Sequence, residues 1–265
     1  MRPIISLLSD FGLKDSYVAE MKAVILGICE NAQIVDISHA VSKFDVRMGA
    51  FVLASAAPCF PKGSLHVAVV DPGVGLERRP IVVETKHSLF VGPDNGLLML
   101  AAKKEGTKHV YAISNAEFML KRVSKTFHGR DVFAPVAAYL AKGQALSEMG
   151  LEINGYLVPE FAEPSVKAGR IDGEVLHIDD FGNVITNISA KHLSEIGVKG
   201  GNYLSIKLNK KSARLKYCST YGKVKVNELL TLIGGHGFFE VAMNQGNAAA
   251  KLKAKKGTGI RVWFT

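Results

Sequence analysis

Cysteine is scarce in this chain of 265 residues: Cys29, Cys59 and Cys218 are far apart, and no two form a C-x-x-C pair. That spacing excludes a disulfide framework and a cysteine zinc site, and leaves reduced thiols. Long apolar runs are also missing. The stretch over residues 4–8 is broken by a serine and stopped by Asp10, too short for a membrane span and unlike a signal peptide. The expectation is a soluble cytoplasmic protein with no membrane partner. Internal repeats and low-complexity tracts are absent. With 48% hydrophobic and 22% charged residues, the composition excludes disorder and collagen-like sequence.

What the second half lacks is acid. Residues 1–164 carry 17 basic and 17 acidic side chains, whereas 165–265 carry 16 and 7, so the net charge of +9 resides in the last hundred positions. Such asymmetry raises a nucleic-acid or acidic partner. The lysines are scattered, however, among them Lys207, Lys210, Lys211, Lys216, Lys223 and Lys225, with few aromatics between them. They read as a solvated face, and no nucleic-acid partner is expected.

The chain divides into two patterns. Over residues 1–150, short β-branched runs at 3–8, 33–37, 65–70, 81–85 and 89–92 alternate with helical periodicity at 17–29, 45–57 and 132–142. Several runs are apolar at nearly every position, which predicts an α/β domain with a mostly parallel sheet covered on both faces. Residues 151–164, with Pro159 and Pro164 and no clear period, read as a linker. Over 165–265, Gly-punctuated strands at 173–178, 203–208, 214–217, 229–233, 238–243 and 259–263 predict a smaller β-barrel or sandwich.

In open α/β sheets chemistry collects at the carboxyl ends of strands, here the loops 9–17, 71–80 and 126–131. Asp10 follows the first strand, where a carboxylate can accept both hydroxyls of a ribose diol. Asp15 or Ser16 has the bland alternative of capping the next helix. Asp71 opens a turn with Pro72, Gly73 and Gly75, and Arg78 and Arg79 are placed to return and pair with it. His128, beside Gly129 at a helix start, is held toward its neutral form and can orient a water or act as a base. Beyond the linker, Asn183, Asn187, Asn244 and Asn247 crowd strand ends more densely than a plain hairpin requires, and their amides suit a heterocyclic base.

The ordered segments SDFGLKDSYVAEMK, VVDPGVGLERRP, VGPDNGLL, TFHGRDVFAP, IDDFGNVITN and VAMNQGNAA resemble the S-adenosylmethionine hydroxide adenosyltransferase family, related to fluorinase and chlorinase enzymes. The resemblance runs over nearly the whole chain. It implies an N-terminal α/β domain, a C-terminal β-barrel, and a homotrimer with active sites between one subunit's N-terminal domain and its neighbour's C-terminal domain. It implies hydrolysis of S-adenosylmethionine to adenosine and methionine, with Asp71, Arg78 and His128 as the hydrolytic triad where halogenases carry uncharged side chains. By the same resemblance Asp10 binds ribose, Asp15 is the second acid of that loop, Asp179 holds the methionine ammonium and Asn183 reads adenine. Phe181 and Tyr221 flank the base, Phe44 lies near the reacting carbon, and Asn95 and Gln245 belong to the substrate-binding motifs. One segment departs: the family's Asn-Ser-Phe-Gly is here Gly234-Gly235-His236-Gly237, leaving backbone amides or His236 to hold the methionine carboxylate.

Displacement at C5′ of a sulfonium expels a neutral thioether, so no oxyanion develops, and neither metal nor cofactor is expected. The difficulty lies in water, a poor nucleophile that must be oriented and relieved of a proton. Sequence leaves open whether Asp71 or His128 accepts that proton. The rival readings are a halide-using adenosyltransferase, a non-catalytic S-adenosylmethionine or adenosine binder, and a basic nucleic-acid module.

Overall fold

A computed structural model describes residues 2–264, which divide into two compact units at Pro159/Glu160. In the first unit, β1 (Ile4–Ser9), β2 (Gln33–Ser38), β3 (Leu65–Val69), β4 (Pro80–Thr85), β5 (Leu89–Pro93) and β6 (Thr107–Ala112) form one sheet in the order β2-β1-β3-β5-β4-β6. The sheet is mixed. β1 pairs parallel with β2 and β3, and β3 with β5, but β4 runs antiparallel to both β5 and β6. The reversal follows from connection length, since only three residues separate β4 from β5, enough for a hairpin and too few for a parallel crossover.

Helices α1 (Tyr17–Ile28) and α4 (Ala134–Ala141) pack together, as do α2 (Val46–Ala56) and α3 (Met99–Glu105). Alternation along β1 assigns the layers: Ile5 and Leu7 join Met21, Ile25, Val136 and Ala137 in one core, while Leu8 approaches Gly49 of α2. β3 is buried at every position, His66 included, as its nearly continuous apolar run predicts. Two elements escaped the sequence reading. α3 carries Lys103 and Lys104, and β6 is an edge strand whose Lys108 and His109 face solvent, so neither shows a clean period. Hydrogen bonds from Ala112 N–H to Leu151 O and from Ile153 N–H to Val110 O carry ordered pairing into the stretch read as linker.

One buried pair in this unit makes a measurable prediction. Ser6 and His66 face each other in register on β1 and β3, both fully buried, with Ser6 Oγ 2.6 Å from His66 Nδ1. The ring lies between Phe60 and Phe90, and burial pulls its pKa down from 6.5 to about 4. Because the unfolded chain binds this proton more readily, stability from a neutral His66 is intact above pH ~6.5 and is lost as pH falls toward the folded value. The expected loss is about 3 kcal/mol. Chemical denaturation between pH 7 and 4 should show this slope in the native chain and a shallower one in His66→Gln; parallel slopes would remove His66 as its source.

The second unit is a nearly closed antiparallel barrel. β7 (Ser165–Lys167), β8 (Arg170–Ile178), β9 (Val184–Ser189), β10 (Tyr203–Leu208), β11 (Lys211–Lys216), β12 (Leu229–Ile233), β13 (Phe238–Met243) and β14 (Gly259–Phe264) run in the order β11-β10-β14-β8-β9-β13-β12, with β7 beside β8. A bridge between Tyr217 and Thr231, with Cys218 N–H donating to Thr231 O at 2.8 Å, brings the two ends of the sheet together. Short helices α5 (Ala190–Glu195) and α6 (Ala248–Leu252) complete it. Leu204, Ile206 and Leu208 on β10 and Ile260 and Val262 on β14 point into the core at every second position. Exposed Lys207 alternates with them, which accounts for part of the basic excess as outward-facing positions. Among the described residues no helix is long and apolar enough to cross a membrane.

Candidate active site

Three segments of the first unit meet beyond the end of β3. Asp71 follows Val70, and Arg78 returns to it after seven residues: Nε donates to Oδ1 at 3.0 Å and Nη2 donates to Oδ2. The same Nη2 lies 2.8 Å from His128 Nδ1. A guanidinium only donates, so Nδ1 accepts, and the neutral ring carries its hydrogen on Nε2. Burial, then the positive charge of Arg78, lowers the His128 pKa; the opposing attraction of Asp71 is smaller. The helix dipole read from sequence acts in the same direction, but desolvation leads. Gly75 brings the segments together. Its φ is +75°, and a Cβ there would sit 2.2 Å from the carbonyl oxygen of Lys125.

The Arg78 and Asp71 side chains are only 9% and 4% exposed, and Arg78 Nη1 has no hydrogen-bond partner among the described residues. A buried guanidinium nitrogen with unused donors suits an oxygen carrying negative charge. Arg79 departs from its expected partner. It begins the chain's turn into β4 and pairs with Asp94 across the hairpin, Nη2 to Oδ2 at 2.6 Å, because Asp94 N–H is held by the Arg79 carbonyl at 2.8 Å.

Asp10 is buried at the end of β1, its Oδ2 accepting the backbone N–H of Phe44 at 2.8 Å. Phe44 has φ 65° and an exposed ring, so the turn that presents its amide is left-handed. Sequence reasoning missed the support beneath. His39 lies 2.8 Å from Ser9 Oγ through Nδ1, 3.2 Å from Asp36 through Nε2, and accepts Gly12 N–H with its carbonyl at 2.8 Å. It therefore grips the Asp10 loop on both sides. The signal available was Asp36 and His39, three apart at the end of a strand adjacent to β1. Asp15 is exposed, and Ser16 occupies the cap position of α1 without a side-chain cap bond. Asn95 braces the scaffold: its Nδ2 donates to Val70 O at 2.8 Å and its Oδ1 accepts Leu97 N–H at 3.1 Å.

In the second unit a cavity of about 710 Å³ gathers Asp179, Phe181, Asn183, Tyr221 and Gln245 together with Asn244 and Asn247. Asp179 closes the turn between β8 and β9: Oδ1 accepts the N–H groups of Phe181 (3.1 Å) and Asn183 (2.8 Å), and Oδ2 accepts Asn183 Nδ2 at 2.9 Å. The Asn183 oxygen is then the amide's remaining acceptor. Gly182, at φ +81°, leaves room for the Asn247 amide, which a Cβ would meet at 2.2 Å. Asn247 Oδ1 accepts Ala250 N–H and caps α6. Asn187 lies elsewhere, its oxygen accepting Glu174 N–H. The His236 ring is also committed: Nδ1 accepts Phe238 N–H at 3.1 Å and Nε2 meets Glu240 Oε2 at 3.0 Å. Both ring nitrogens are thus engaged within the chain.

An α/β unit with an aspartate–arginine–histidine cluster at its strand ends, followed by a barrel with a mainly apolar cavity edged by Asp179, Asn183 and Gln245, defines a class of two-domain small-molecule enzyme. The SAM hydroxide adenosyltransferase N-terminal domain family matches residues 5–150, and the SAM hydroxide adenosyltransferase C-terminal domain family matches residues 173–261. The chain belongs to the SAM hydroxide adenosyltransferase family. It is 40% identical over 259 residues to the (R)-S-adenosyl-L-methionine hydrolase of Methanocaldococcus jannaschii, covering 94% of this chain and 91% of that protein. Identity to the (R)-S-adenosyl-L-methionine hydrolase of Salinispora tropica is 38%, over 98% and 97%. A fluorinase from Actinopolyspora mzabensis is 26% identical, over 98% and 97%. A solved structure of a conserved protein from Thermotoga maritima superimposes with TM-score 0.87 at 39% identity, covering 98% of this chain and 99% of that one.

Proposed function

We propose that this protein hydrolyses S-adenosyl-L-methionine, water attacking C5′ of the ribose to release adenosine and L-methionine. The observation that carries the reading is the Asp71–Arg78–His128 cluster with Arg78 Nη1 unsatisfied. In it the Arg78 charge, held between Asp71 and His128, stabilises the growing hydroxide character of the attacking oxygen. His128 has given its Nδ1 lone pair to Arg78, so Asp71 is the proton acceptor and His128 fixes the guanidinium. The C5′–S bond breaks as the C5′–O bond forms, the electron pair leaves on a neutral thioether, and one proton is released. Incubation with S-adenosylmethionine in ¹⁸O-labelled water should give adenosine labelled in the 5′-hydroxyl. Unlabelled adenosine, or none, would reject the reading. A halide is disfavoured because Asp71 sets a carboxylate against an incoming anion; added chloride or fluoride should yield no halogenated nucleoside.

Asp10 is assigned to the ribose diol, Asn183 to the adenine amino group and Asp179 to the substrate ammonium. Asp10→Ala should therefore weaken substrate and adenosine alike, by about 1.5–3 kcal/mol for lost charged hydrogen bonds. Asp179→Asn should weaken the substrate more than adenosine, which has no ammonium. Calorimetric titration of both ligands distinguishes the roles, and equal losses for Asp179→Asn would reject its assignment. The proposed assembly is a homotrimer in which the two halves of the site come from neighbouring subunits. Exposed Leu13, Phe44 and Leu76 around the strand ends of the first unit support it as apolar surface. Light scattering should give three times the 28.6 kDa chain mass; an active monomer would exclude it.

Protonating His128 would set an N–H against the Arg78 N–H it now accepts. Since its pKa lies below the ordinary value near 6.5, kcat/KM should stay level through pH 6.5 and fall only at lower pH. A pH–rate profile that declines already above 6.5 would contradict this.

A further inference from the structure

A buried carboxylate in the barrel has no part in the chemistry above. Glu240 lies in mid-β13, 1% exposed, on the face opposite the barrel core that takes Phe239 and Val241. Its Oε1 accepts the Tyr221 hydroxyl at 2.7 Å and its Oε2 accepts from His236 Nε2 at 3.0 Å. The direction of the second bond is settled by His236 Nδ1, which accepts the Phe238 amide and so leaves the ring hydrogen on Nε2. Gly234 is required for this contact: a Cβ there would lie 2.5 Å from both Glu240 Oε2 and His236 Nε2. The Gly234-Gly235-His236-Gly237 turn is thus shaped around a histidine–glutamate pair.

Tyr221 occupies the other end. It sits on a single 3-10 turn, Tyr221–Lys223, with no side-chain cap, and the residue, 40% exposed, lines the 710 Å³ cavity. An exposed ring on so short a turn keeps its rotamer freedom unless its far end is tied. The hydroxyl is that tie. Burial, reinforced by Glu240 and Asp179, raises its pKa and keeps it a donor.

We propose that Glu240, backed by His236, is a positioning residue that fixes Tyr221 as a preset wall for the adenine ring. The inference rests on the functional reading above. Adenosine affinity should fall about tenfold in Tyr221→Phe, which keeps the ring and loses the tie, and about as much in Glu240→Gln, whose single amide oxygen cannot accept from both Tyr221 and His236. KM for S-adenosylmethionine should rise in step while kcat stays within about twofold, because nothing here touches the reacting atoms. In the Tyr221→Phe background, Glu240→Gln should cost nothing more, since both act along one path. Should Glu240→Gln not fold, His236→Ala replaces it, with the same expected loss when Tyr221 is present and none when it is Phe. Additive losses, or wild-type affinity in Tyr221→Phe, would overturn the inference. A native chain that binds no adenosine would instead remove the functional reading, and this inference with it.

Discussion

Arg78→Ala is expected to lower turnover of S-adenosylmethionine by about 10²- to 10⁴-fold while leaving affinity within a few-fold, the range for losing a preorganised charged donor or a positioned proton acceptor. Arg78 is the hub of the cluster, donating to both Asp71 oxygens and to His128 Nδ1. Asp71→Asn should fall by at least about 10²-fold, because an amide keeps the shape and cannot take the proton. His128→Ala should also lower turnover, through the freed guanidinium. The Asp71→Asn/His128→Ala double variant should be little worse than Asp71→Asn alone, since groups serving one water act as a unit. Single-turnover rates with parallel calorimetry test all four. Multiplicative losses in the double variant would mean two independent contributions, and lost binding in every variant would move the cluster from chemistry to recognition.

Gly75→Ala should cost nearly as much although it alters no reacting group. An alanine at φ +75° is strained by about 1–2 kcal/mol, and its Cβ would fall 2.2 Å from the Lys125 carbonyl oxygen. The 71–78 and 124–128 segments must then part, and a displacement of about 1 Å at the site costs about 10²-fold. Gly63→Ala is the control: φ is +87° but no atom lies within 4 Å, so only the conformational cost applies. Thermal melts should show Gly75→Ala well below Gly63→Ala, and turnover should fall in the first alone. Equal melting points and wild-type turnover in both would show that the segments tolerate separation.

Much of this site is legible where chemistry is local. Asp71 and Arg78 lie on one turn, and Asp179 and Asn183 on another, so spacing alone suggests that they meet. The Arg79–Asp94 pair was not legible: two adjacent arginines look equivalent until the β4–β5 hairpin gives one of them another acid. Glu240 was hidden because β13 is buried on both faces, and a lone acid in such a run shows its role only when Tyr221 and His236 are brought beside it. The mixed sheet was legible in part: the runs at 81–85 and 89–92 lie too close together for a parallel crossover and so require a hairpin, whereas β6 showed no clean period and its antiparallel pairing with β4 was not legible.

The Phe44 turn separates two traits that usually mutate together. Its grip on Asp10 is a main-chain N–H, indifferent to which side chain position 44 carries. A library at this position can therefore vary the surface beside Asp10 without releasing its carboxylate, provided the backbone tolerates φ 65°. Asn, Asp and Gly meet that condition readily, valine and isoleucine resist it, and proline deletes the donor itself. Evolvability at the mouth of the site is thus gated by backbone preference, and the permitted alphabet can be written down before a single variant is made.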